Sequence, residues 1–307
     1  MRRYSHPEGL DLHMVSVTPP TDRTPYDRNA PGRWRRILPV LLCLGLLAGC
    51  DTMKTIFGTG EEEKKRAERP VDEIYNHAMD LLETGWYDTS AKEFDEVERQ
   101  HPYSIWATKA QLMSGYSHYK NQKYDEAIIS LDRFIELHPG NRDAPYAYYL
   151  KALCYYEQIS DVGRDQKMTR LALDALREVV RRFPNTTYAR DARLKLELTQ
   201  DHLAGKDMDI GRYYQHRGDY LAAINRYRTV IERFQTTTHV PEALHRLTEC
   251  YLALGITDEA QMSAAVLGHN FPGSKWYEDS YALLDHRNLK PQRKENSWLS
   301  WLWDWAS

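Results

Sequence analysis

Small, bulky and polar positions between His101 and Gly140 follow the pattern of two helices joined by a turn. Gly115, Ala127 and Pro139 fall twelve residues apart, and Tyr124 and Leu131 supply bulk where a helix hairpin needs it. A small residue in the middle of one helix lets a second helix approach, and a small residue at the crossing point answers it. Proline ends the second helix because it lacks the helical N–H. The hairpin so predicted buries one face only, and it therefore needs neighbours above and below.

The spacing returns along the chain. Ala78, Ser90 and Pro102 repeat it, as do Gly211, Ala223 and Gln235, and Thr248, Ala260 and Pro272. In a fifth copy Ala172 and Pro184 keep the second interval, while the first, from Ala152, is stretched to twenty residues. The eight surplus residues fall in Ile159 to Gln166, a polar, glycine-containing segment that reads as a long hairpin loop. A plain helical bundle has no reason to repeat such residues at fixed intervals. The five copies resemble the tetratricopeptide repeat, which implies an all-α solenoid of five helix hairpins over residues 71–290. The repeats fall at 71–104, 108–141, 145–186, 204–237 and 241–274. Between the third and fourth, Ala192, Leu196 and Leu203 sit at helical spacing in an extra helix. Joined through Gly205 to the fourth repeat, it reads as one long helix that the glycines let bend. After Pro272, Trp276, Tyr277, Ser280, Tyr281 and Leu284 share one face of a capping helix, as the end of a solenoid requires.

The flanks read differently. Residues 1–32 have no apolar periodicity and no face to bury, so a disordered or over-extended leader is expected there. From Gly32 a basic start at Arg33, Arg35 and Arg36 leads into an apolar run, Ile37 to Leu47. That run is shorter than the roughly 20 apolar residues that span a bilayer. It also contains Pro39, so residues 33–49 read as a signal peptide. The tetrad Leu47-Ala48-Gly49-Cys50 resembles a bacterial lipobox, which implies cleavage before Cys50 and lipid on its thiol. Residues 50–70, charged and glycine-containing, then form a lipidated tether. The last segment, 291–307, is basic and carries Trp298, Trp301, Trp303 and Trp305, half of the eight tryptophans. Two readings stay open for it: a disordered end, or an anchor to a partner or a membrane interface.

Composition removes several function classes. With a formal net charge of only −3, the chain lacks the basic excess of a general nucleic-acid binder. No GxSxG, Walker or Rossmann fingerprint is present. Of the four cysteines, Cys43 leaves with the signal and Cys50 takes the lipid; Cys154 and Cys250 have no zinc spacing and read as buried thiols. His101 and His138 precede repeat-ending prolines and read as structural. The expectation is a non-enzyme with no metal and no cofactor beyond the covalent lipid on Cys50.

Lipobox, tether and repeats occur together with particular wording. EIYNHAMDLLETGWYDTSAKEFDEVERQHPYSIWATKAQLMSGYSHY, LDRFIELHPG, NTTYARDA and RGDYLAAINR resemble the BamD family of outer-membrane lipoproteins, over roughly Val71 to His286. The resemblance implies a lipid-anchored adaptor on the periplasmic face of the outer membrane. It implies as partners BamA, the other lipoproteins of the β-barrel assembly complex, and unfolded outer-membrane proteins. Asp51 departs from the pattern, since in enteric bacteria it resembles an inner-membrane retention signal. On the repeat frame the first helices line a groove with Tyr75 from repeat one, Lys109, Tyr116, Tyr119 and Lys120 from repeat two, and Tyr146, Tyr149 and Tyr156 from repeat three. Tyrosine offers broad contact and a hydroxyl for extended peptides, and a lysine nearby suits a chain-terminal carboxylate. Repeat four has no aromatic residue at the matching places. By the same resemblance the C-terminal repeats face BamA through Arg217 and Arg226. Arg226 stands beside the core positions Ala223 and Tyr227, so its guanidinium is expected to be free for a partner's carboxylate, with an intramolecular or solvated Arg226 as the alternative. An alternative is a lipoprotein scaffold for cell-division or peptidoglycan machinery.

Overall fold

The computed structural model describes residues 68–303. Cys50, the signal peptide, most of the tether and Trp305 lie outside the described residues. Among the described residues the chain is all-helical. Hairpins form from α1 (Val71–Glu83) and α2 (Tyr87–Gln100), α3 (Ile105–Lys120) and α4 (Tyr124–Leu137), and α5 (Ala144–Tyr156) and α6 (Lys167–Arg182). There follow α7 (Thr187–His216), α8 (Tyr220–Arg233), α9 (Val240–Ala253), α10 (Thr257–Asn270), α11 (Lys275–Asp285) and the single turn α12 (Ser300–Trp303). Each of α1 to α11 packs on its sequence neighbours and α12 packs on α10, while α1, α3, α5 and α7 also touch in turn as one layer of a tetratricopeptide-repeat solenoid.

Local chemistry sets the ends. Ser104, Thr186 and Ser274 each accept a bond from a backbone N–H in the first turn of α3, α7 and α11. Four hairpin turns use the left-handed region, at Gly85, Gly218 and Gly255 with φ of 84°, 80° and 76°, but at Gln122 with φ of 59°. The long loop before α6 is ordered by one side chain. Gln166, buried, donates from Nε2 to the carbonyls of Asp161, Val162 and Arg164 and accepts from Thr169 Oγ1.

The small residues of the repeat stand at crossings. A Cβ on Gly115 would lie 2.9 Å from Leu131 Cγ, and one on Gly211 would lie 2.4 Å from Tyr227 Cε1. The predicted long helix is α7, uninterrupted over 30 residues, about 45 Å at 1.5 Å per residue. Its glycines do not break it; Gly205 and Gly211 are buried where neighbours come close. One half of α7 packs Ala192 and Leu196 against α5 and α6, the other packs Ala204 and Met208 into the core of the last two hairpins. The capping helix α11 buries Ser280 and Leu284, while Tyr281, expected on that face, is exposed.

The described part of the tail is ordered against the repeat domain. Leu299 and Leu302 are fully buried in the core of the last hairpins. Trp298 donates Nε1–H to Tyr251 Oη at 3.0 Å, with the Arg228 guanidinium 4.3 Å from its ring centre. Trp303 stacks on His269 with ring centres 4.2 Å apart, and Asn270 Nδ2 donates to the Leu302 carbonyl. Trp301 is the exposed exception.

Candidate functional site

Five of the six groove tyrosines lie along α3 and α5. Tyr116 and Tyr119 come from α3, Tyr146, Tyr149 and Tyr156 from α5, and all are half-buried. A sixth ring from the first turn of α7, Tyr188, joins them at 5.4 Å from Tyr146 and 5.5 Å from Tyr149. The Tyr149 hydroxyl donates to Asp191, which also pairs with Lys195 at 3.3 Å, and Lys195 lies 5.3 Å from the Tyr156 ring centre. Tyr188, Asp191 and Lys195 escaped the sequence reading because α7 begins outside the repeat register. Their i, i+3, i+7 spacing, which sets all three on one helix face, was the available signal. Burial, then the charge of Glu157, pushes the Tyr119 hydroxyl up to about 12. Tyr146 is raised chiefly by burial, and Tyr149 by burial and then by its bond to Asp191. These phenols stay protonated at neutral pH and remain O–H donors.

The other expected groove residues lie elsewhere. Tyr75 packs against Phe94 and, at 4.8 Å between ring centres, against Trp106, in a separate cluster. Lys109 sits over Trp106 and Lys120 over Tyr87. Eleven residues along one helix hold the two lysines some 16 Å apart, so they do not converge on one carboxylate.

The two arginines expected at a docking face have separate settings. Arg217 bonds the Tyr213 hydroxyl at 3.1 Å and pairs with Asp219 at 3.3 Å. Arg226 is not free: Nη1 donates to Asp207 at 3.2 Å, an intramolecular pair across α7 and α8. With the arginine side chain 44% exposed, such a pair is worth about 0–1 kcal/mol and is readily exchanged. Arg226 lines a cavity of about 840 Å³ between the long loop, α6, α7 and α8. Arg164, Arg170, Arg177, Lys206 and Arg233 line it too, against three aspartates, with Leu203, Ile210 and Phe234 as apolar wall. Cations outnumber anions two to one there, so the cavity suits an acidic ligand.

One constellation looks catalytic and is not built for it. His245 Nδ1 is 2.8 Å from Ser280 Oγ, and Nε2 is 3.5 Å from Glu249. Ser280 is fully buried, so no substrate reaches its hydroxyl. Glu249 also accepts from Gln215 and Arg246, and Arg246 in turn shares Glu242 with Arg212. These groups tie α7, α9 and α11 together. Cys154 and Cys250 are free, buried in different clusters, and burial pushes each thiol up to about 12. His101 bonds the Arg69 carbonyl at 2.7 Å, and His138 packs on Phe134. Among the described residues no helix is long and apolar enough to cross a membrane.

The sequence model of a family described as "YfiO: Outer membrane lipoprotein" matches residues 67–267. The chain belongs to this family. Its curated relatives carry the name "Outer membrane protein assembly factor BamD". That of Caulobacter vibrioides is 56% identical over 224 residues, covering 73% of each chain. That of Rickettsia prowazekii is 45% identical over 250 residues, covering 81% of this chain and 96% of the relative. That of Neisseria meningitidis serogroup A is 34% identical, covering 75% and 90%. The family match includes the tyrosine cluster and the basic cavity, and it ends before α11 and the tail.

Proposed function

We propose that the chain is a lipid-anchored periplasmic adaptor of outer-membrane β-barrel assembly. Unfolded barrel segments bind over the tyrosine cluster of α3, α5 and α7, and BamA docks at the basic cavity around Arg226. Membership of the BamD family carries the reading, and the half-buried tyrosines on three successive first-layer helices name the surface. Each ring offers one edge to a passing chain, and the hydroxyls other than that of Tyr149, which is held by Asp191, add an O–H, while the other ring face is held by the repeat stack. Affinity then comes from contact area and main-chain hydrogen bonds, and sequence tolerance follows. In docking, a partner carboxylate replaces Asp207 on Arg226, an exchange of one charge-assisted bond for another.

Replacing Tyr116 and Tyr149 together with Ala, then titrating a labelled peptide ending in Phe against the full chain, tests the first half. The expected result is affinity weaker by about tenfold or more, since two aromatic contacts are removed; unchanged affinity in a folded variant removes this surface from the mechanism. Arg226→Glu sharpens the second half. It should weaken capture of BamA with little change in melting temperature, and equal loss of both would make Arg226 structural. For the anchor, Cys50→Ser should leave a soluble or an uncleaved protein, and a variant that is still processed and stays with membranes after a carbonate wash would sink the lipid assignment.

A further inference from the structure

Three helices frame the basic cavity with the same spacing. α6 contributes Arg170 and Arg177, α7 Leu203 and Ile210, and α8 Arg226 and Arg233. In all three the two residues stand at i and i+7, two turns apart on one helix face, so like groups recur at about 10.5 Å along each helix. Two helices thus bring paired cations, and the third paired apolar side chains, to one space of about 840 Å³. The charge there is only half answered. Arg170 lies 3.9 Å from Asp165, Arg177 3.9 Å from Asp174 and Arg226 3.2 Å from Asp207. Lys206 donates to the Gly163 carbonyl at 3.0 Å, and the guanidinium groups of Arg164 and Arg233 have no hydrogen bond or ion pair among the described residues. Three cations are left without a carboxylate, on three different elements: the long loop, α7 and α8. A lone carboxylate answers one of them, whereas a segment that carries several answers more.

We infer that the cavity takes an acidic amphipathic helix of the docking partner, with carboxylates at i and i+7 on Arg226 and Arg233 and apolar residues between them on Leu203 and Ile210. The inference rests on the reading that the partner docks here, and it adds which element enters. Spacing selects the helix. A helix repeats its own side chains at the same interval of about 10.5 Å, whereas same-side residues of a strand recur at about 6.6 and 13 Å and miss one of the two arginines. Charge selects the acid. Arg226 has to exchange Asp207 for the incoming carboxylate, but the exposed Arg233 gives up no bond, so the second carboxylate is the one that adds affinity. Leu203 and Ile210 give the helix an apolar floor, and without one the contact would be an exposed ion pair of little worth.

The test titrates fluorescein-labelled peptides against the full chain in detergent micelles and reads anisotropy. The matched probe is a capped, fifteen-residue alanine-based helix with Glu at i and i+7 and Leu at i+3 and i+4. Its control has the same composition with the second Glu moved to i+5, on the far side of the helix. The matched helix should bind about tenfold tighter than the control, the loss of one charge-assisted bond. Arg233→Glu, at an exposed position, should erase that preference and leave the melting temperature unchanged. A third peptide with a central proline, which cannot complete the helix, should bind no better than the control. No binding by the matched helix, equal binding of matched and control helices, a preference that survives Arg233→Glu, or tightest binding by the proline peptide each overturns the proposal and leaves docking at Arg226 standing. Capture of BamA separates the two: if Arg226→Glu captures BamA normally while the matched helix keeps its preference, the docking reading fails and the cavity's choice of ligand stands.

Discussion

In the first three hairpins the buried side chains fall into three separate clusters, around Phe94, Phe134 and Leu176. From Ala204 onward they merge into one, which runs from α7 through α8, α9, α10 and α11 into the tail. The repeat is the same in both halves, so spacing does not account for the difference. Aromatic placement does. In the first half tyrosines stand between the clusters and keep an edge in solvent, whereas in the second Tyr227 is wholly buried and hydrogen-bonded to Gln215. The half with divided cores leaves tyrosine edges at its surface, and the half with a single core closes over the Tyr227 ring. Charge follows the same division: Arg212, Glu242, Arg246 and Glu249 form a shielded network in the second half.

The contrast is most directly broken at Tyr227. Tyr227→Ala removes the largest fully buried side chain, and an aromatic truncation of this kind lowers stability by about 3–5 kcal/mol; chemical denaturation followed by fluorescence should show the second half melting first. Leu302→Ala, in the tail, should lower stability by about 2–4 kcal/mol. An effect below about 0.5 kcal/mol would mean that the tail does not belong to this core. Gly211→Ala comes next: its new Cβ meets a locked ring, and overpacking of that kind costs about 1–3 kcal/mol. Gly115→Ala, at the matching place in the first half, meets Cγ of the fully buried Leu131 at 2.9 Å, a milder clash than that with the Tyr227 ring. Its helix-propensity gain of up to about 1 kcal/mol offsets part of that overpacking and leaves a net cost of about 1 kcal/mol.

Acid should also separate the halves. Burial pushes the Glu249 carboxyl up, but hydrogen bonds from His245, Gln215 and Arg246 outweigh it and hold its pKa at about 2, against an ordinary 4.5. Glu242 is lowered by Arg212 and Arg246, again against burial. A carboxylate with a depressed folded-state pKa contributes stability that is fully present above its unfolded value and lost as pH falls toward the folded one. Hydrogen exchange between pH 5 and 2 should therefore show α7, α9 and α11 loosening, with Glu249→Gln removing most of the pH dependence. The smallest effect is expected at a turn. Gln122→Gly frees the left-handed position that glycine holds in three other hairpins and should raise stability by up to about 1 kcal/mol.

Much of this architecture was legible from intervals alone. Gly115 with Leu131, Gly211 with Tyr227 and the eight-residue loop at 159–166 all follow from local spacing, because helix crossings in a repeat array lie a fixed number of residues apart. Part of the candidate surface was legible for the same reason: Tyr116, Tyr119, Tyr146 and Tyr149 occupy first-helix positions. Tyr188, Asp191 and Lys195 complete it from a helix that the repeat frame skips. The pairing of Arg226 with Asp207 was hidden because it joins residues 19 positions apart on two helices, a distance that no single-helix pattern reports.

Residue order by itself dictated the elements and their stacking, since small residues, turns and caps act within one or two helical turns of themselves. Tertiary packing chose which charges are satisfied internally and where the tryptophan-rich end goes. Trp298 meets Tyr251 and Arg228 from 47 and 70 residues away in sequence. Such a contact forms only once α8 and α9 lie side by side. A tryptophan in an isolated sequence suits solvent, membrane and core surfaces alike; Trp298 and Trp303 meet the apolar face left open on the last hairpin.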